Sequence, residues 1–240
     1  MEKFKSPDYY NIDSLLSEDE KMIRSSVREW VDENIMPLIE KCFLDGTYPR
    51  HLRPQMGELG LFGANLPEKY GCAGVNNVAY GLMMQELERA DSGIRSGASV
   101  QGALVMYPIF AYGTEEQRQK WLPKLATGEA VGCFGLTEPD YGSDPGNMIT
   151  NAVKDGNNYV LNGAKMWITN GTDADIAVVW AKLDGRIRGF LVEKGTEGFS
   201  APEMKGKHSL RASITSELIF QDCVIPVENL LPESGGLRSP

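Results

Sequence analysis

The sequence is poor in the residues on which several large classes of chemistry depend. It has two histidines, His51 and His208, and neither has a second metal-ligand type at the spacing of a zinc site. The four cysteines, Cys42, Cys72, Cys133 and Cys223, lie far apart and no pair forms C-x-x-C. That pattern argues against a disulfide framework and fits reduced thiols. Basic residues are outnumbered, 24 Lys and Arg against 33 Asp and Glu, giving a net charge of -9. Nucleic acid and anionic membrane surfaces are therefore poor partners. No apolar run approaches the ~18 residues of a membrane span, and the start, MEKFKSPDYY, lacks the apolar core of a signal peptide. The expectation is a cytoplasmic protein with no metal site and no membrane insertion. A processed mitochondrial matrix enzyme would read the same.

Familiar catalytic and phosphate-binding motifs are missing too. There is no G-x-x-x-x-G-K-[ST] loop, no G-x-G-x-x-G after a strand and no G-x-S-x-G elbow. Asn170-Gly171-Thr172 matches a glycosylation acceptor, but without a secretory signal it reads as a hairpin turn.

What is present falls into two textures. In the first, Ser17 and Glu20 form a capping-box pattern, followed by Ile23, Val27, Trp30 and Val31 at helical spacing. This helix is predicted to end before Pro37. Thr114 and Gln117 open a second capped stretch, and residues 75–93 and 97–113 are further helical candidates. From about Val131 short β-rich runs take over: VGCFGLT, NYVLNG, KMWITNG, IAVVWAKL, RGFLVEK and SELIFQDCVI. Asp155-Gly156-Asn157-Asn158 and Asp184-Gly185 supply turns between them. The predicted class is α+β: an all-helical domain over residues 1–130, then an antiparallel β-barrel or sandwich over 131–232. Residues 233–240, with Gly235, Gly236 and Pro240, have a linker's composition.

Two segments could carry chemistry. CFGLTEPDYGSD, Cys133 to Asp144, is a strand running into a polar turn; that description alone would account for it. It also offers backbone N–H groups, Thr137 and Ser143 to a polar heterocycle and a nearby phosphate. In MWITNG, Met166 to Gly171, Trp167 could simply fill the core of the β-domain. Alternatively its indole and the Thr169 hydroxyl, two residues on and so on one strand face, suit a flat cofactor.

These two segments, together with the upstream EEQRQKWLPKLATGE, resemble the acyl-CoA dehydrogenase family in the order and spacing of the motifs. The resemblance implies bound FAD. Phe134, Gly135, Leu136, Thr137, Gly142 and Ser143 would line the flavin and acyl-CoA site, and Trp167, Ile168 and Thr169 would follow the flavin ring, Thr169 near N5. Within the family, the stretch Glu86 to Ile109 is similar to glutaryl-CoA dehydrogenases, in which an arginine and a serine hold the substrate's free carboxylate. Those residues map to Arg95 and Ser96, with Glu88 in the same pocket and Ser143 also toward the substrate. A bidentate arginine suits a carboxylate. A monocarboxylic chain is expected to leave Arg95 unpaired, a penalty that can discriminate by ~10⁴-fold.

The resemblance further implies α-proton removal by a glutamate, hydride transfer from the β-carbon to flavin N5, and decarboxylation of the product to crotonyl-CoA. It also implies a role in amino-acid degradation, electron delivery to an electron-transfer flavoprotein, and a homotetramer. The family's glutamate base would lie beyond Pro240, so no catalytic residue is assigned in this chain and little activity is expected of it alone. Glu138 is read as a turn residue. The alternatives are another acyl-CoA dehydrogenase or an oxidase acting on a monocarboxylic acyl-CoA, or an inert flavoprotein fragment.

Overall fold

The computed structural model describes residues 7–240. Met1 to Ser6, part of the start read above as lacking an apolar core, lie outside the described residues.

Helix α1 (Glu18–Trp30) begins where the capping box places it: the Ser17 hydroxyl accepts from Glu20 N, and Glu20 Oε2 accepts from Ser17 N at 2.8 Å. The predicted stop before Pro37 does not occur. The chain stays helical through a π turn (Val31–Ile35) into α2 (Met36–Asp45). Pro37 falls in the first turn of α2, where a missing N–H costs little, and the wider π turn absorbs the ring. Short α3 (Arg53–Glu58) follows, then α4 (Asn77–Ala90), capped by Asn76, and α5 (Ser92–Ser99), capped by Asp91. A second π turn (Val100–Met106) leads into α6 (Tyr107–Tyr112). The last helix, α7 (Glu115–Ala126), carries the second capping box, Thr114 with Gln117.

Seven strands form one curled sheet: β1 (Gly132–Gly135), β2 (Asn151–Asp155), β3 (Asn158–Thr169), β4 (Ile176–Leu183), β5 (Arg186–Glu193), β6 (Phe199–Ser200) and β7 (Thr215–Pro226). The order is β1-β4-β2-β3-β7-β6, with β5 on β4. Where the sequence predicts a purely antiparallel domain, the sheet is mixed. The neighbours β2/β3, β3/β7, β4/β5 and β6/β7 are antiparallel, while β1 and β2 both run parallel to β4. The β2–β3 hairpin lies between β1 and β4 in sequence and supplies the long connection that a parallel pair needs. Two of the three anticipated turns join hairpins: Gly156 takes φ 56° between β2 and β3, and Asp184 and Gly185 take φ 50° and 76° between β4 and β5. Asn170-Gly171-Thr172 does turn the chain, but it joins β3 to β4, which are not paired, so it is not the hairpin expected.

Strand β4 is buried on both faces, which explains its uninterrupted apolar run. Ile176, Val178 and Trp180 join the helical core around Val105, Met106 and Ile109. Ala177, Val179 and Ala181 face a second cluster with Phe190, Leu218 and Phe220. Among the described residues, no helix is long and apolar enough to cross a membrane and no cluster of acidic, histidine or cysteine side chains could hold a metal. All four cysteines are free thiols, and burial pushes Cys72 and Cys223 up to about 11.

Candidate functional site

Strand β1 brings the first motif to the edge of the sheet. Phe134 is half-buried with its ring edge-on to Trp180, centroids 6.1 Å apart. Gly135 is small of necessity, because a Cβ there would sit 3.1 Å from Leu218 Cδ1 and 3.2 Å from Lys165 Cγ. Beyond it the chain leaves the sheet but stays fastened to β3. Lys165 Nζ donates to Leu136 O at 3.1 Å, and Met166 N donates to Thr137 O at 2.9 Å. Glu138 turns inward. Its Oε1 accepts from Thr150 N and Lys165 Nζ, both at 2.9 Å, and its Oε2 from Ile149 N at 2.7 Å. Burial alone would raise the Glu138 pKa, but these donors outweigh it and hold the carboxyl below its usual range. Gly142 and Ser143, by contrast, lie on an exposed loop. The motif is therefore split between a packed half and an exposed half.

The second motif lies at the end of β3, where pairing with β7 slips between Lys165 and Ile168. Trp167 stands in this bulge with φ 64° and is 60% exposed, so it does not fill the core. The bulge also breaks the simple two-residue alternation assumed for Trp167 and Thr169. Ile168 is buried and Thr169 half-buried. The next residue, Asn170, is buried at φ 67°, and its Nδ2 donates to Gly97 O at 3.3 Å and Gly132 O at 3.4 Å.

Helices α4 and α5 bring up the third group. Arg95 Nε donates to Glu88 Oε2 at 2.6 Å, Arg95 Nη1 donates to Ser99 Oγ at 3.2 Å, and the Ser92 hydroxyl donates to Glu88 Oε1. Ser92 and Arg95 together hold Glu88 below the usual carboxylate range. This geometry corrects one expectation. Arg95 already has a carboxylate partner, so an uncharged acyl chain would not strand it, and the full ~10⁴-fold penalty does not apply.

Ser96 Oγ lies 3.5 Å from Thr169 Oγ1. That contact brings the arginine-bearing helix against the strand of the second motif. Ser143 stays apart on its exposed loop, and among the described residues neither its hydroxyl nor that of Thr137 is hydrogen-bonded to the other candidates. Sequence reasoning missed two side chains that organise the site. Lys165 is one, and its signal was a lysine inside an otherwise apolar strand pattern. Gln101 is the other. Its Nε2 donates to Leu125 O and Ala130 O, and its Oε1 accepts from Gly132 N at 2.8 Å, so it fixes where β1 begins.

Two family models match the chain. "Acyl-CoA dehydrogenase, N-terminal domain" covers residues 17–129 and "Acyl-CoA dehydrogenase, middle domain" covers 133–223. The chain is similar to a crystal structure of a glutaryl-CoA dehydrogenase from Mycobacterium smegmatis in complex with FADH2. The two are 52% identical with a TM-score of 0.95, over 96% of this chain and 60% of that one. It is 37% identical over 225 residues to the mitochondrial short-chain specific acyl-CoA dehydrogenase of Mus musculus, covering 92% of this chain and 55% of that protein. The mitochondrial isovaleryl-CoA dehydrogenase of Pongo abelii is also 37% identical, over 90% of this chain and 53% of that protein. The chain thus spans little more than half the length of the curated relatives it matches.

Proposed function

Because this chain belongs to the acyl-CoA dehydrogenase family, whose members are FAD-dependent oxidoreductases, we propose that its residues serve the α,β-dehydrogenation of glutaryl-CoA. The observation that carries this reading is the 3.5 Å approach of Ser96 to Thr169, which sets a carboxylate-binding arginine beside the strand that would face the flavin.

The side chains fit the cofactor. A tryptophan turned out of its strand and 60% exposed offers an aromatic surface to a flat polar ring, and Thr169, two residues on, a hydroxyl donor. Phe134, Leu136, Thr137 and Thr169 would line that ring, with Gly142 and Ser143 contributing from the exposed loop. Bound there, FAD supplies the acceptor for the hydride that leaves the substrate's β-carbon. Arg95 takes the substrate's distal carboxylate through charge-assisted hydrogen bonds, while Glu88 and Ser99 keep the guanidinium oriented. Ser96 adds a hydroxyl donor. Glu138 is not the base, because both its oxygens are engaged in the interior. Decarboxylation and onward electron transfer to an electron-transfer flavoprotein complete the proposed activity, supported by the likeness to a glutaryl-CoA dehydrogenase.

A second reading, a monocarboxylic acyl-CoA as substrate, is favoured by the Glu88–Arg95 pair itself. The pair is already neutral and tolerates an uncharged chain. The test is a visible-spectrum titration of the FAD-loaded protein with glutaryl-CoA and with butyryl-CoA. The glutaryl reading expects tighter binding of glutaryl-CoA by roughly 10- to 100-fold, the size of one charge-assisted bond, and loss of that preference in Arg95→Ala. Equal affinities would favour the second reading, and the lack of any flavin band would sink both.

A further inference from the structure

Behind the two flavin-facing segments lies a buried ion pair that the proposed reaction does not use. Lys165 Nζ and Glu138 Oε1 are 2.9 Å apart, and their side chains are 0% and 1% exposed. Two charges so enclosed lose their hydration, and replacing such a pair with well-packed uncharged side chains is often neutral or stabilising. Stability alone therefore does not explain the pair.

Its bonding pattern supplies another role. Three successive residues of the first motif are fastened to two successive residues of β3: Leu136 and Glu138 to Lys165, and Thr137 to Met166. Glu138 extends the tie to Ile149 and Thr150, just ahead of β2. Neither segment has an unbroken sheet ladder here. The first has left β1 at Gly135, and the second is slipped against β7 across Lys165 to Ile168. The buried pair sits at the last ladder residue before the slip, where both motifs leave regular structure and two residues before the strained Trp167.

We propose that Lys165 and Glu138 are positioning residues that fix the first motif against the second and so determine how well FAD is held. This rests on the FAD reading above, and the test separates the two. The double variant Glu138→Gln/Lys165→Met, made in the full chain, removes both charges at similar volume. Its thermal midpoint should stay within a few degrees of the wild type, while its Kd for FAD rises about 10-fold or more. In the ligand-free protein, hydrogen exchange at the Met166 amide should accelerate about 10-fold, reporting the freed contact to Thr137 without any cofactor. A merely structural pair would lower the midpoint and leave FAD affinity per folded molecule unchanged. That result, or wild-type Met166 exchange in the folded double variant, overturns the proposal. Should the double variant fail to fold, Glu138→Gln alone reads the same two quantities, and wild-type values in it likewise overturn the inference. A wild-type protein that never takes up FAD sinks the functional reading, and Met166 exchange still decides whether the pair positions the segments.

Discussion

On the proposed reading the Arg95 guanidinium would face two carboxylate claims: Glu88, which it already holds at 2.6 Å, and the distal carboxylate of a glutaryl substrate. Both side chains are partly exposed, at 35% and 44%, so the existing pair is screened and contributes little stability of its own. What Glu88 sets is the net charge beside Arg95. With it ionised, as Ser92 and Arg95 keep it, the pair is neutral, and an incoming carboxylate would meet a like charge beside its arginine. Glu88→Gln keeps a hydrogen-bond acceptor for Arg95 and removes that repulsion. The ratio of butyryl-CoA to glutaryl-CoA dissociation constants should then rise about 10-fold, read from the same titration as the wild type. A fall in the ratio would mean that Glu88 acts mainly by orienting Arg95.

At the scale of elements, the parts legible in the sequence are those set by local rules. Both capping boxes form, the turns at Gly156 and at Asp184-Gly185 join hairpins, and the apolar spacing of Ile23, Val27 and Val31 marks a helix. What was hidden depends on partners far along the chain. Pro37 continues a helix because a π turn precedes it, β1 and β2 lie parallel to β4, and Trp167 is ejected by a slip against β7. No window around Met166 to Gly171 encodes that slip. It becomes intelligible once Asn170 is seen holding α5 and β1 from a left-handed backbone. Two substitutions divide that residue's contributions. Asn170→Gly keeps the φ of 67° without strain but loses both bonds, and should cost about 2 kcal/mol. Asn170→Ala adds a left-handed penalty of about 1 kcal/mol. Urea denaturation of the pair checks the order, and an alanine variant as stable as the glycine variant would show that the backbone relaxes.

On the scale of the whole molecule, the helical and β halves share an apolar core, but the contact at their rim is ionic. Asp173, in the turn after Asn170, accepts from Arg50 at 2.6 and 2.9 Å and from Arg53 at 2.8 Å. Its carboxylate is only 12% exposed, and Arg53 11%. Burial would raise the Asp173 pKa, yet the two arginines outweigh that and hold it below the ordinary value near 3.9. A carboxyl whose folded pKa is depressed contributes stability that is present above its unfolded pKa and disappears as the pH falls through its folded one. The clamp should thus be fully engaged at neutral pH and released only in strong acid. Asp173→Asn keeps the shape and removes the charge. Its deficit in unfolding free energy should be about 2–3 kcal/mol at pH 7 and should shrink steadily below about pH 4 as the wild type loses its own charge. Denaturant titrations of both proteins at neutral and acidic pH test this. If the deficit stays constant across that range, the charge contributes nothing specific, and the halves are held by the core and by the buried bonds of Gln101 instead.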